Sequence, residues 1–407
     1  MSKEAQTIFI KDYDYSLSPD RIAEFPVRER DQSKLLVYRN GEICNDFFFN
    51  LDEYVPTGST LVLNNTKVIE ARVFFRKPTG GVIEIFCLEP HQQSIEQSLA
   101  SRERAQWQCL IGGASKWKTG QILEKEIFIG NTTVQLQARY VSKQADNFII
   151  EFVWNTEQSF GEVLHAAGAI PLPPYIKRGA TEEDKIRYQT IFSNQEGSVA
   201  APTAALHFTQ NVFKKLSAKN IDHEYITLHV GAGTFKPVKT ETVDEHEMHK
   251  EPFTVCIETL KKIVRAKKII AVGTTSLRTL ETIYWLGVKL INDLIKEEWS
   301  LQQWEVYELE KYYTNISKEQ SLNAMIKHLE NNHQPELHCQ TSLIIVPGYK
   351  FKIPQALITN FHQPQSTLLL LVSAFIGPDW KQIYQHALDN DYRFLSYGDS
   401  SLLWRNQ

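Results

Sequence analysis

The side chains able to do chemistry fall in a few short stretches of this 407-residue chain. Gly273-Thr274-Thr275-Ser276 follows an apolar run at residues 269–272 and opens a helical pattern, so its N–H groups and hydroxyls lie where a helix begins. Such a position favours a carboxylate or phosphate, and Arg278 one turn on tilts it further that way; an ordinary N-cap uses the same residues. Residues 198–208 are small and include Thr203, ending at His207-Phe208. Small side chains admit a ligand, or simply another element of the fold, at short range. His229 opens His229-Val230-Gly231-Ala232-Gly233-Thr234, a Gly-x-Gly after a strand. Lys236 stands where a dinucleotide fingerprint wants its third glycine, and Pro237 follows instead of a helix. The glycines therefore indicate either a close approach to something flat or a tight turn. Asn360 and His362 lie in a polar loop after a buried run, where open α/β sheets bind ligands. Tyr392 to Asp399 packs Arg393, Tyr397 and Asp399 into eight residues.

These stretches need elements to hold them. Residues 34–38 read as a strand, and Asn40-Gly41 as the turn of a hairpin. Residues 61–63 form a buried strand ending in Asn64-Asn65. Short β-type runs then follow at 82–88, 107–111, 122–129, 133–140 and 148–154, punctuated by Gly80-Gly81, Gly112-Gly113, Gly120 and Gly130-Asn131. That spacing predicts a small antiparallel barrel or sandwich inserted into the chain. Beyond residue 156, apolar runs at 225–230, 269–272, 343–346 and 356–359 alternate with helical patterns and predict a largely parallel, helix-covered sheet. Residues 285–340 are charged and helical, with Trp285, Trp304, Tyr307, Tyr312 and Tyr313 among Lys and Glu, and read as an appended helical insertion.

Composition narrows the class. With 42% hydrophobic residues and a net charge of −4, from 44 basic against 48 acidic side chains, the chain is globular and no polycation. A local basic face stays open. Five scattered cysteines without a Cys-x-x-Cys pair indicate free thiols in a reducing compartment and no structural zinc. His246 and His249 in Asp244-Glu245-His246-Glu247-Met248-His249 lack zincin spacing, and no metal site is expected. Residues 1–12 do not read as a signal peptide, and the apolar run from Leu368 to Val372 is far too short for a membrane span, so a cytoplasmic protein is expected.

Taken in order, the motifs resemble the S-adenosylmethionine:tRNA ribosyltransferase-isomerases of queuosine biosynthesis. The resemblance runs from about Asp12 to Leu403 and lies in ordered blocks. They include Leu61-Val62-Leu63-Asn64-Asn65-Thr66-Lys67-Val68-Ile69 with Ala71-Arg72, Pro171-Leu172-Pro173-Pro174-Tyr175-Ile176, and Ala200-Ala201-Pro202-Thr203 through His207-Phe208. Further on come Thr227-Leu228-His229-Val230-Gly231-Ala232-Gly233-Thr234-Phe235, Ala271-Val272-Gly273-Thr274-Thr275-Ser276, Thr359-Asn360-Phe361-His362 and Ser396-Tyr397-Gly398-Asp399. Three features depart from the family: Ala205 replaces a usual glycine and would crowd a ligand, Gln363 replaces a leucine, and the segment at 285–340 is long.

The resemblance implies a larger mixed α/β domain, partly barrel-like, with a small antiparallel β-barrel domain inserted: residues 1–68 and 159–407 around 69–158. It implies S-adenosylmethionine as ribosyl donor to 7-aminomethyl-7-deazaguanine at the wobble position of tRNA, giving epoxyqueuosine-tRNA, adenine and methionine. No metal or further cofactor is implied, and a monomer is expected. The sulfonium acidifies the neighbouring ribose carbon, which calls for a base, and histidine suits that work. On this basis His207 and His229 are expected as acid or base, with Asp399 as their carboxylate partner. Thr274, Thr275 and Arg278 would hold the methionine carboxylate. Asn64, Asn65, Arg72, Thr203, Gly231, Gly233, Thr234, Asn360, His362, Arg393 and Tyr397 would contact the nucleosides and the anticodon stem-loop. A basic face of Arg72, Arg76, Lys77, Lys177, Arg178, Lys236 and Arg393 would meet the RNA.

Overall fold

The computed structural model describes residues 8–118, 120–144, 147–231, 233, 238, 240–295 and 298–405. Its centre is a parallel array in the order Asp222–Leu228, Ser59–Asn64, Lys268–Val272 and Ala356–Asn360. Every residue of Ser59–Asn64 and of Ala356–Asn360 is buried, as an array covered on both faces requires. Alternation sorts the side chains. Leu61, Leu63, Ile270, Val272, Ala356 and Ile358 pack with Val212 and Leu216 of the helix Gln210–Ala218. Val62, Ile269, Ala271 and Leu357 face the opposite core, with the helices Thr274–Ile291, Thr367–Ile376 and Trp380–Asp389.

Antiparallel strands extend the array on both sides, so the sheet is mixed rather than largely parallel: among the described residues it has ten strands. Glu251–Cys256 and Glu336–Thr341 lie beyond Asp222–Leu228. Ser400–Trp404 lies beyond Ala356–Asn360, followed by the hairpin Lys34–Arg39 and Glu42–Phe47. Asn40 and Gly41 turn that hairpin with φ of 52° and 85°, the paired positive values a two-residue turn of this hand needs.

Two expectations are corrected here. Residues 343–346 are buried but join no ladder; the Val346 N–H instead donates to the Tyr307 hydroxyl at 3.1 Å. Residues 285–340 are no appendage either. Trp285, Leu301, Val306, Leu322, Met325, Leu329 and Leu337 are buried in the principal core, and Glu336–Thr341 is a strand of the main sheet. The charges lie on the outer faces of Glu305–Tyr312 and Lys318–Asn331, as amphipathic helices allow.

The second sheet carries its own core. Gly168–Ala169, Arg72–Arg76, Val82–Pro90, Arg104–Gly112, Asn147–Trp154, Thr132–Gln144 and Leu123–Ile129 pair antiparallel in that order. Val73, Ile85, Trp107, Leu136 and Phe152 point inward, and the helix Phe160–Ala167 packs on them through Phe160 and Leu164. The sheet curls until Arg72–Arg76 comes close to Leu123–Ile129, but among the described residues no ladder joins that pair. It is a curled, open antiparallel sheet.

Candidate active site

All four central strands run the same way, so Leu228, Asn64, Val272 and Asn360 end at one edge of the sheet. At that edge opens a cleft of about 820 Å³, counted to its mouth. Ala200, Ala201, Pro202 and Ala204 supply a small-residue wall, and Leu368 and Leu395 an apolar one. Thr203, Thr274, Thr275, Thr359, Asn360, His362, Gln363, Ser366, Thr367, Tyr175 and Ser396 bring the polar groups.

Each polar group has a structural reason for its place. Gly273 turns from strand to helix at φ 91°, a conformation side chains strain to adopt, and brings no cap to Thr274–Ile291. The leading N–H groups of a helix have no partner within it, so Thr274 and Thr275 present an anion-binding end to the cleft. Asn360 accepts from the Thr203 hydroxyl at 2.8 Å, and its amide nitrogen lies 3.5 Å from His207 Nε2. His362 Nε2 sits 2.9 Å from the Thr359 hydroxyl. Its backbone N–H donates to Tyr384 at 3.1 Å, and its carbonyl accepts from Tyr15. Burial pushes the His362 imidazolium down to about 3, so the ring stands neutral. Tyr175 and Ser396 close one wall through hydroxyls 2.5 Å apart.

The remaining sequence-predicted residues lie elsewhere. His207 is buried behind Asn360, and burial pushes its imidazolium down to about 4. It borders a smaller crevice with Arg30, Arg187 and Tyr397. His229 sits 3.1 Å from the Thr66 hydroxyl and 3.8 Å from Glu96, whose carboxyl it helps to hold down at about 2. Neither histidine lines the cleft. Asp399 acts on His207 through its charge, which opposes the effect of burial, while its oxygens accept from the backbone N–H of Lys34 and Arg393, at 3.1 and 2.8 Å, and pair with the Arg393 guanidinium at 2.9 Å. That makes it a staple between chain segments.

Arg278 does not line the cleft. Its guanidinium turns into the protein to pair with Glu251, both side chains being buried, and leaves the helix N-terminus to Thr274 and Thr275. Asn64 spends its amide clamping strand ends, donating to the Leu228 carbonyl at 2.8 Å and accepting from the Leu228 N–H at 3.1 Å. Asn65 accepts from Thr227 at 2.7 Å. Tyr397 donates to Asp184 at 2.7 Å, and Arg178 binds the same carboxylate through two nitrogens at 2.6 and 2.9 Å. Arg72 pairs with Glu84 at 2.8 Å.

Gly231 has open space where a side chain would be, whereas a Cβ on Gly233 would strike the His249 ring. The flat group that Gly233 admits is thus a side chain of the protein itself. Thr234 and Lys236 lie outside the described residues. Ala205 faces the core beside Phe48 and Phe208, away from the cleft, so its methyl crowds no ligand there. Among the described residues no three metal-ligating side chains converge, and Val243–Glu245 forms a short 3-10 turn. Sequence reasoning passed over Tyr175 and Ser396, although both lie within the family's blocks; a proline-flanked tyrosine and a lone serine carry no chemical signature of their own.

The cleft is lined by the same blocks that carry the resemblance, and a sequence profile of the queuosine biosynthesis protein family matches residues 10–403. The chain belongs to that family. An S-adenosylmethionine:tRNA ribosyltransferase-isomerase from Magnetococcus marinus is 36% identical over 397 residues, covering 96% of this chain and 93% of the relative. One from Thermosipho melanesiensis is 38% identical, covering 97% and 99%. The crystal structure of S-adenosylmethionine tRNA ribosyltransferase from Thermotoga maritima is 28% identical and covers 96% of this chain and 99% of that one, with a TM-score of 0.45. Among the described residues, no helix is long and apolar enough to cross a membrane.

Proposed function

We propose that this chain transfers and isomerises the ribosyl group of S-adenosylmethionine onto 7-aminomethyl-7-deazaguanine at the wobble position of tRNA. Epoxyqueuosine-tRNA, adenine and methionine are the products, and the protein works as a cytoplasmic monomer without metal or further cofactor. The observation that carries this reading is the cleft at the carboxyl ends of four parallel strands, lined by family blocks. Its chemistry suits the donor. The small wall of Ala200, Ala201 and Ala204 lets a flat nucleoside lie close, Thr203 and Asn360 offer polar atoms to it, and the helix N-terminus at Thr274 and Thr275 suits the methionine carboxylate.

Several basic residues of the expected RNA face are engaged within the protein. Of the basic residues proposed for RNA, Arg72, Arg178 and Arg393 are each engaged by a carboxylate, and Lys77 donates to the Lys116 carbonyl. Arg76 and Lys177 are exposed. We read residues 69–158, which supply six of the seven strands of the curled sheet, as the inserted domain, bringing Arg72 and Arg76 as one flank of the RNA surface.

The test is incubation with S-adenosylmethionine and an anticodon stem-loop, with and without the aminomethyl base. Adenine released only with the modified stem-loop supports the assignment. Adenine released with a small free amine instead would favour a paralogue with a small acceptor, and none under any condition refutes the reading.

A further inference from the structure

We infer that His362 is the proton acceptor of the cleft, taking the proton from the ribose carbon bonded to the sulfonium; this rests on S-adenosylmethionine being the substrate. The first support is elimination. Among the described residues that line the cleft, His362 is the one imidazole or carboxylate. The other ionisable group is the Tyr175 phenol, which is tied to Ser396 and pushed by burial up to about 12. Threonine and serine hydroxyls need a base of their own before they can accept a proton.

The second support is how the ring is held. Tyr384 and Tyr15 fix the His362 backbone from its N–H and carbonyl sides, and Thr359 fixes Nε2. Thr359 is itself anchored, its carbonyl accepting from the Ser401 hydroxyl at 3.0 Å. With the proton on Nε2 and donated to Thr359, Nδ1 carries the free lone pair. An immobilised ring of this kind needs no reorganisation when substrate arrives.

The step balances within the cleft. The ribose C–H bond breaks, an N–H bond forms at Nδ1, and the electron pair stays on the carbon beside the positive sulfur. Imidazole becomes imidazolium, and no oxidant, reductant or other reactant is consumed. Burial opposes that new charge, and the substrate's carboxylate at Thr274 and Thr275 works against the penalty by adding a negative group to the same cleft.

The test compares wild type, His362→Gln and His362→Ala, all with native thermal unfolding, for S-adenosylmethionine affinity and for single-turnover adenine release with the modified stem-loop. Affinity should change by less than about threefold, while adenine release falls by about 10² to 10⁴. Added imidazole should restore part of the His362→Ala rate, and deuterium placed at the reacting ribose carbon should stop exchanging with solvent in both variants. A variant that binds substrate and keeps more than a tenth of wild-type turnover overturns the proposal, as does undiminished deuterium exchange. A silent wild type strikes the substrate assignment instead, which keeps the two failures apart.

Discussion

His362 and His207 are both held neutral by burial, and both sit within one side chain of the strand Ala356–Asn360. They differ in access. His362 lines the cleft with one ring nitrogen engaged by Thr359, whereas His207 lies in a layer behind it, against Asn360 and the Phe48 ring. The layer behind also holds Asp399, Arg393, Tyr397 and Asp184, each tied to a partner in the protein. Polar side chains in a family's blocks therefore divide into those that line the cleft and those packed behind them and tied to partners in the protein. Position relative to open space decides which, and residue type does not.

Substitutions should separate the two layers. The largest effect expected on rate is the loss at His362 described above, with stability kept. In the layer behind, Asp399→Ala strands two backbone N–H groups and a guanidinium, and should cost about 3 kcal/mol of unfolding free energy by denaturant titration. Were Asp399→Ala as stable as wild type yet inactive, the staple assignment would fail and a chemical role would return.

Acid adds a subtler contrast. Burial works to raise the Asp184 carboxyl, but hydrogen bonds from Arg178, Thr181 and Tyr397 outweigh it and hold it well below the ordinary aspartate range. A depressed folded-state value means that its stabilisation is complete above about pH 4 and fades as the pH falls below that. Asp184→Asn should therefore flatten the stability profile across that acid window while lowering stability at neutral pH. An unchanged slope would show that the carboxylate does not report on this layer.

Smaller effects are expected at the cleft's anion end. Thr275→Val removes one hydroxyl and leaves the backbone N–H groups, so S-adenosylmethionine affinity should fall by about fivefold by calorimetry. Smallest of all, Ala205→Gly should cost less than about 1 kcal/mol and leave substrate affinity unchanged, since its methyl belongs to the core. Tighter binding in that variant would mean that the methyl does reach the ligand.

Much of the fold was legible because its signals are local. Asn40-Gly41 demands its hairpin, the glycine-punctuated runs mark the strands of the curled sheet, and Gly273-Thr274-Thr275 marks a strand passing into a helix. Of the residues expected at the site, Thr274, Thr275, Thr203, Asn360 and His362 line one cleft. What escaped depends on partners far apart in the chain. Nothing near Arg278 announces Glu251, and nothing near Asp399 announces the Lys34 N–H. The charged residues at 285–340 hid a buried stripe because an amphipathic helix shows both faces in one stretch of sequence. Gly233 signalled a close approach, but sequence could not say that His249 was what approached.

The most direct test of the site is a crystal structure with S-adenosylmethionine bound. The account predicts the adenosine against Ala200, Ala201 and Ala204, the carboxylate on the N–H groups of Thr274 and Thr275, and the sulfonium-bearing ribose carbon within reach of His362 Nδ1. Ligand seated instead in the polar groove beside His249 and Trp304, with the strand-end cleft empty, would contradict it.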